Sequence, residues 1–321
     1  MSSLREVKDR IDSVRSTLKI TSAMKLVASS KLRKAQRTIE ALRPYQETLE
    51  DILESVLQSG VDPSKAGLSA EDGSPKPGNV LERASGNHPL PKDINEAGHQ
   101  CLQPEVILAF SSNSSMCGAF NSNVIKKVLD IVKNAGGKGR NVEVWSFGKK
   151  MTEALRKSGT PAARDFSSLV ARPDYTALAA VSGELRELRA SGRIAGAKLV
   201  YNHFVSAGRQ QVVAEDYIGD DNIQIVDIHT GIETCQASLD FILEPSRKVL
   251  LDSLLPLVNN LVLYTALLDS AAAEHAARMV AMQAATDNGQ QLLAELTLEY
   301  NKGRQQKITS EILDLVGGSA Q

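Results

Sequence analysis

Positions three and four apart in turn along the first 56 residues carry Leu4, Val7, Ile11, Val14, Leu18, Thr21, Lys25, Ala28, Leu32, Ala35, Ile39, Leu42, Gln46, Leu49, Leu53 and Val56. Thirteen of those sixteen are apolar. A 3,4 spacing held over about seven heptads is a seam for another helix, because at 3.5 residues per turn one face keeps returning to its partner. The exceptions, Thr21, Lys25 and Gln46, need their own explanation.

The other end of the chain repeats the pattern. From Glu244 a helical period runs almost to the C-terminus, with Leu254, Leu257, Leu261, Tyr264, Leu268, Ala271, His275, Arg278, Met282, Ala285, Gly289, Leu292, Leu296 and Glu299 at 3,4 spacing, ten of the fourteen apolar. Two such seams flanking a compact middle can pair only antiparallel if both leave that middle on the same side. With Val56 near Leu250, equal rise places Leu4 opposite about residue 302 and Lys25 opposite about residue 281. The last residues then project as a single helix, by about 20 Å. Lys25 and Arg278 share a height, with Met24 and Met282 beside them. Two cations in a buried stripe repel unless an acid faces them, which points to a contact from outside the chain.

The pattern divides the chain into an N-terminal coiled-coil helix (1–59), a Pro/Gly-rich linker (60–104), a central α/β domain (105–230) and a C-terminal coiled-coil helix (244–321). Ser3 is placed to cap the first helix, with Glu6 three residues on. Pro44 inside it removes one backbone hydrogen bond at about 3 kcal/mol, so a bend is expected there, not a stop. Six of the eleven prolines fall between Gly60 and Pro104, and that density, with no apolar period, reads as a linker.

In the middle, EVILAFSS from Glu105 is a short apolar run bounded by turn residues. An amphipathic stretch Ser122 to Asn134, the run VEVWSFG, a helical segment Met151 to Lys157 and another at Ala177 to Ala190 follow it. AKLVYNHFVS and QQVVAEDYIG read as a hairpin around Ala207 and Gly208. Strands and helices alternating at this spacing imply a layered α/β domain with mainly parallel strands.

Net charge is −1, which gives no bulk attraction to nucleic acid or membrane. The charge is uneven, however. Between Ser13 and Ile39 stand Arg15, Lys19, Lys25, Lys31, Arg33, Lys34 and Arg37 and no acid, a run that a solvated helix face also explains. The apolar stretch from Leu250 to Leu268 is interrupted by Asp252, Pro256, Asn259 and Asn260, against a membrane span. Cys101, Cys117 and Cys235 are odd in number and widely spaced, fitting a reducing compartment. The early charges Arg5, Glu6, Lys8, Asp9 and Arg10 rule out a secretory signal.

Cys117 follows a strand in a glycine-containing turn, but no His or acid is placed by the sequence to activate it. GxGxxG and GxxxxGK[ST] are absent. His88 and His99 have no ligand partners at metal spacing. The reading assigns no catalytic residue, metal or cofactor.

The segments ITSAMKLVASSKLRKAQ, SSMCGAFN (114–121), YNHFVSAGRQ (201–210), SAAAEHAARMVAMQAATDNG (270–289) and YNKGRQQKITSEILDLVGG (300–318) together resemble the gamma subunits of F-type ATP synthases. The resemblance covers both terminal helices and most of the middle. It departs at Asn113, Ser114 and Ser115, where the family usually has Asp-Arg-Gly, at Gly318 in place of Ala, and in the length of the linker, which lacks the paired cysteines of the redox-regulated plastid insert.

The resemblance implies an α+β, multi-part fold: a long antiparallel coiled coil of the terminal helices plus a central Rossmann-like α/β domain. It implies a rotor, the central stalk of a proton-translocating enzyme, turning inside a ring of alpha and beta subunits that hold the chemistry. The central domain would sit on the epsilon subunit and the membrane ring of c subunits, at the cytoplasmic face of a bacterial plasma membrane. Met24, Lys25, Lys31, Arg33, Arg278, Arg304, Gln305, Thr309 and Glu311 would then face the stator. Ile308, Ile312, Leu315 and Val316 would form a projecting apolar tip that only partners can cover. Two other readings stay open: a stand-alone α/β enzyme using Cys117, and a coiled-coil tether between other proteins.

Overall fold

The computed structural model describes residues 4–58, 103–137, 141–218 and 247–318. In chain order the elements are α1 (Leu4–Gln58), β1 (Glu105–Phe110), α2 (Phe120–Gly137), β2 (Val142–Phe147), α3 (Lys149–Lys157), β3 (Arg164–Asp165), α4 (Ser167–Ala171), α5 (Tyr175–Ala190), β4 (Gly196–Ser206), β5 (Arg209–Ile218) and α6 (Arg247–Gly318). The stretch 60–104, apart from Gln103 and Pro104, lies outside the described residues, as do Ser3, His88, His99, Cys101 and Cys235.

One five-stranded sheet has the order β3-β2-β1-β4-β5. β1 is parallel to β2 and to β4, and β2 to β3. β5 runs antiparallel to β4, since the turn at Ala207 and Gly208 is far too short for a parallel crossover. β1 is central and covered on both sides, which is why EVILAF reads as an unbroken apolar run and not an alternating one. Its period of two still sorts the side chains. Val106, Leu108 and Phe110 go to one layer with Trp145, Phe147, Leu199 and α5 residues Leu178 and Leu185. Ile107 and Ala109 go to the other with Val124 and Val128 of α2 and Met151 and Leu155 of α3. β3 and α4, two and five residues long, left no period to read; they are fixed instead by Phe166, which stacks on Phe147 at 5.1 Å.

α1 and α6 pair antiparallel. Gly303 lies against Leu4 and Gly289 against Leu18; Val7 and Ile11 pack on Leu296, Leu32 on Ala272 and Ala276, and Leu49 on Leu254 and Leu261. Two of the three polar exceptions on α1, Gln46 and Thr21, find matches on α6. Thr265 donates to buried Gln46 at 3.2 Å, and the hydroxyls of Thr21 and Thr286 meet at 3.0 Å. Both helices run on through Pro44 and Pro256.

The strict 3,4 count on α6 needs correcting. Leu257 and Leu292 are exposed, and Val258 and Leu293 take their places against α1. A helix of 3.6 residues per turn drifts about 20° per heptad from a 3.5 repeat. α6 also has a second obligation, because Val262, Leu263, Ala266 and Leu267 cover the sheet. Part of α6 is apolar enough in length and composition to cross a membrane; serving α1 and the sheet at once accounts for that composition.

Candidate functional site

In an open α/β sheet, ligands bind at the carboxyl ends of the strands, where the strand order reverses. Here that place belongs to the loop after β1, residues 111–119, and its polar groups are turned on each other. The Ser112 N–H donates to Asn121 Oδ1 at 3.0 Å. Asn121 Nδ2 donates to Cys117 Sγ at 3.1 Å. Asn113 ties two more elements to the loop, its Nδ2 donating to Ser167 O at 2.8 Å and its Oδ1 accepting the Lys149 N–H at 3.1 Å. Cys117 is buried and packs with Phe120 on Ala273 and Ala277 of α6. No histidine or carboxylate hydrogen-bonds it among the described residues, so the thiol behaves as a small core side chain. α6 covers one side of the loop through Ala273 and Ala277.

At the same height the two helices and this loop meet in a polar cluster. Arg278 Nη1 pairs with Glu274 Oε1 at 2.8 Å, with the two side chains only 11% and 9% exposed. Arg278 Nη2 donates to Ser114 Oγ at 2.7 Å. The acid expected from outside the chain is therefore internal, one turn back on α6, an i,i+4 placement that the seam count passed over. Burial holds the Glu274 carboxyl above its ordinary value, against the pull of Arg278 and Lys31. Burial likewise pushes His275 down to about 4, helped by Arg278 and Lys31. Met282 is buried in the seam, whereas Met24 and Lys25 are half-buried.

The outward face of α1 is different. Lys31 and Arg33 are exposed, and Lys19, Lys25, Arg33, Lys34 and Arg37 form no ion pair among the described residues. Apolar side chains stand among these cations: Ile20 is 60% exposed, Leu26 70% and Val27 55%.

Beyond Gly303 every described side chain of α6, residues 304–313, is exposed. Arg304, Gln305, Ile308, Thr309, Glu311 and Ile312 are among them, together with Leu313. Lys307 reaches Glu311 at 3.8 Å, and the Thr309 hydroxyl donates to Gln305 O at 2.9 Å. Leu315 and Val316 are helical, but their side chains lie outside those described. The structure thus brings Lys31 and Arg278 together, keeps Met24 and Lys25 nearby, and sets 304–312 apart at the tip.

One arrangement escaped the sequence reading. His203 Nδ1 lies 2.6 Å from Asp269 Oδ2, and the Phe204 N–H donates to Asp269 Oδ1 at 3.1 Å. The hydrogen bond to Asp269 raises the His203 pKa, with the charges of Asp269 and Glu215 adding and burial opposing. Sixty-six positions separate the pair; the only signal was an acid and a histidine in apolar runs, which has no periodicity.

A family model described as ATP synthase matches residues 3–320. The ATP synthase gamma chain of Bacteroides thetaiotaomicron is 39% identical, over 100% of both chains. That of Bacteroides fragilis is 42% identical over 99% of each. Among solved structures, a chain of the rotor of the Euglena gracilis mitochondrial ATP synthase is similar in fold, with a TM-score of 0.58 at 16% identity, covering 95% of this chain and 98% of that one.

Proposed function

The chain belongs to the ATP synthase gamma-chain family, and from that premise we propose that it is the central rotor shaft of a proton-translocating F-type ATP synthase. The observation that carries this reading is a two-helix shaft finished on its inside and unfinished on its outside. Its seam is packed, with Gln46 met by Thr265, Thr21 by Thr286 and Arg278 by Glu274, yet its outer face presents cations without acids beside exposed Ile20, Leu26 and Val27. A lone helix that exposes Ile308, Ile312 and Leu313 calls for an apolar sleeve.

The surroundings that fit are a ring of alpha and beta subunits, with acidic surface toward Lys25, Lys31 and Arg33 and an apolar collar around the tip. The α/β domain docks on the epsilon subunit and the c-subunit ring. In a bacterial cell this places the chain at the cytoplasmic face of the plasma membrane, as a peripheral part of the complex. Proton flow turns the shaft, and its asymmetric surface carries the three catalytic sites of the ring through different conformations. The shaft itself transmits torque and supplies no reacting group. Met24, Lys25, Lys31, Arg33, Arg304, Gln305, Thr309 and Glu311 are the proposed stator contacts. Arg278 shares that face, with its charge already met by Glu274.

The test is a cysteine at Glu311 paired with one on the facing beta subunit in the assembled complex. Oxidation is expected to stop ATP turnover and reduction to restore it. Full turnover with the cross-link complete would overturn rotation at this contact.

A further inference from the structure

A shaft is useful only if the domain that is turned cannot slip on it. The α/β domain holds α6 at several points. The Tyr217 hydroxyl donates to Asn259 O at 3.0 Å, Asp269 takes His203 and the Phe204 N–H, and Ser114 accepts from Arg278. From residue 259 to 278 these points span about 28 Å of helix. All of them are bonds to α6.

Phe204 is the side chain that goes further. It is partly buried against two clusters, one formed by Leu32 of α1 with Ala272 and Ala276 of α6, the other by Cys117 and Phe120 with Ala273 and Ala277. One ring therefore sits where the seam of the coil, the last residues of β4 and the loop after β1 converge. The alanines at 272, 273, 276 and 277 make the room, each nearly or wholly buried. The backbone that carries the ring is held at once by the Asp269 carboxylate, with one oxygen on Phe204 N–H and the other on His203. A carboxylate accepting from two successive residues fixes both position and angle, which a single neutral bond does not.

We propose that His203 and Phe204, seated on Asp269, are the key by which torque passes between the α/β domain and both helices of the shaft. This rests on the rotor reading above. Phe204 acts as a wedge that makes rotation of the domain about α6 push on α1 as well. Asp269 is a positioning residue that keeps the wedge in place.

The experiment uses the whole complex, with the ring immobilised and a gold rod fixed to the α/β domain, and reads angular fluctuation during the pauses of ATP-driven rotation. Asp269→Asn keeps an acceptor for Phe204 N–H and removes the charge that His203 meets; Asp269→Ala removes both; Phe204→Leu keeps a smaller wedge and Phe204→Ala none. Fluctuation is expected to broaden in the order wild type, Asp269→Asn and Phe204→Leu, then the two alanine variants. Hydrogen exchange at the Phe204 amide should rise about tenfold in Asp269→Ala, the change that follows from losing a hydrogen bond to a charged group. Should the alanine variants fail to assemble, the Asn and Leu variants decide alone. Unbroadened fluctuation in assembled Asp269→Asn and Phe204→Leu complexes, even with lowered Tm, would overturn the key and leave the rotor standing. A wild-type complex that hydrolyses ATP without turning would overturn the rotor reading itself.

Discussion

Two histidines, His203 on β4 and His275 on α6, respond to pH with opposite sign. His203 is held above its ordinary value, first by its hydrogen bond to Asp269. Its contribution to stability is therefore fully present below the unfolded value of about 6.5 and is lost as pH rises through the folded one. His275 is pushed down to about 4, first by burial, so the unfolded chain binds the extra proton between about 4 and 6.5 and stability falls as pH is lowered through that window. Denaturant unfolding of His203→Asn and His275→Gln against pH is expected to remove slopes of opposite sign; equal slopes would contradict the geometry. Gly148 is a third residue with no freedom. Its φ is +114°, and an added Cβ would stand 2.3 Å from Ser111 O. Gly148→Ala is expected to destabilise the chain by about 2 kcal/mol or more, read from the shift of the chemical midpoint.

At the scale of elements, the paired helices owe their register to a few positions. Apolar heptads alone tolerate a slide by one repeat, whereas the matched polar pairs do not. Gln46 meets Thr265 and Thr21 meets Thr286, so a slipped coil would bury all four against apolar partners. Gln46→Leu alone is expected to cost about 1 to 3 kcal/mol, by stranding the Thr265 hydroxyl. The double variant with Thr265→Val should recover most of it, and a double-mutant cycle by thermal unfolding measures the coupling. Gly289 and Gly303 set the spacing in another way. A Cβ at Gly289 would come within 2.8 Å of Leu18, so close approach of the helices there depends on its absence.

Across the whole molecule, α6 joins two bodies. Its first part is a layer of the α/β domain and a strand of the coil at once, and its last part belongs to neither. That last part contributes no buried side chain among the described residues, so a chain ending at Gly303 is expected to unfold at nearly the same temperature as the full one. The assembled complex carrying the shortened chain should nevertheless lose torque at the ring. A large fall in Tm of the isolated shortened chain would show that the tip packs on its own chain.

The long helices were legible in the sequence because a 3,4 apolar period is a local property that survives without any knowledge of the neighbour. The sheet was legible for a similar reason, since β1 carries a continuous apolar run bounded by turn residues and β2 a short one rich in β-branched and aromatic residues. The antiparallel register followed from helical rise alone, which is the same for every sequence. Tertiary structure decided what depends on residues far apart in the chain. It brought Asp269 to His203, set Glu274 beside Arg278 so that the cation at the middle of the shaft is met from within, and rotated the α6 seam to Val258 and Leu293. Pairing energies of that kind are set by distance and burial, and neither is written in the order of the residues.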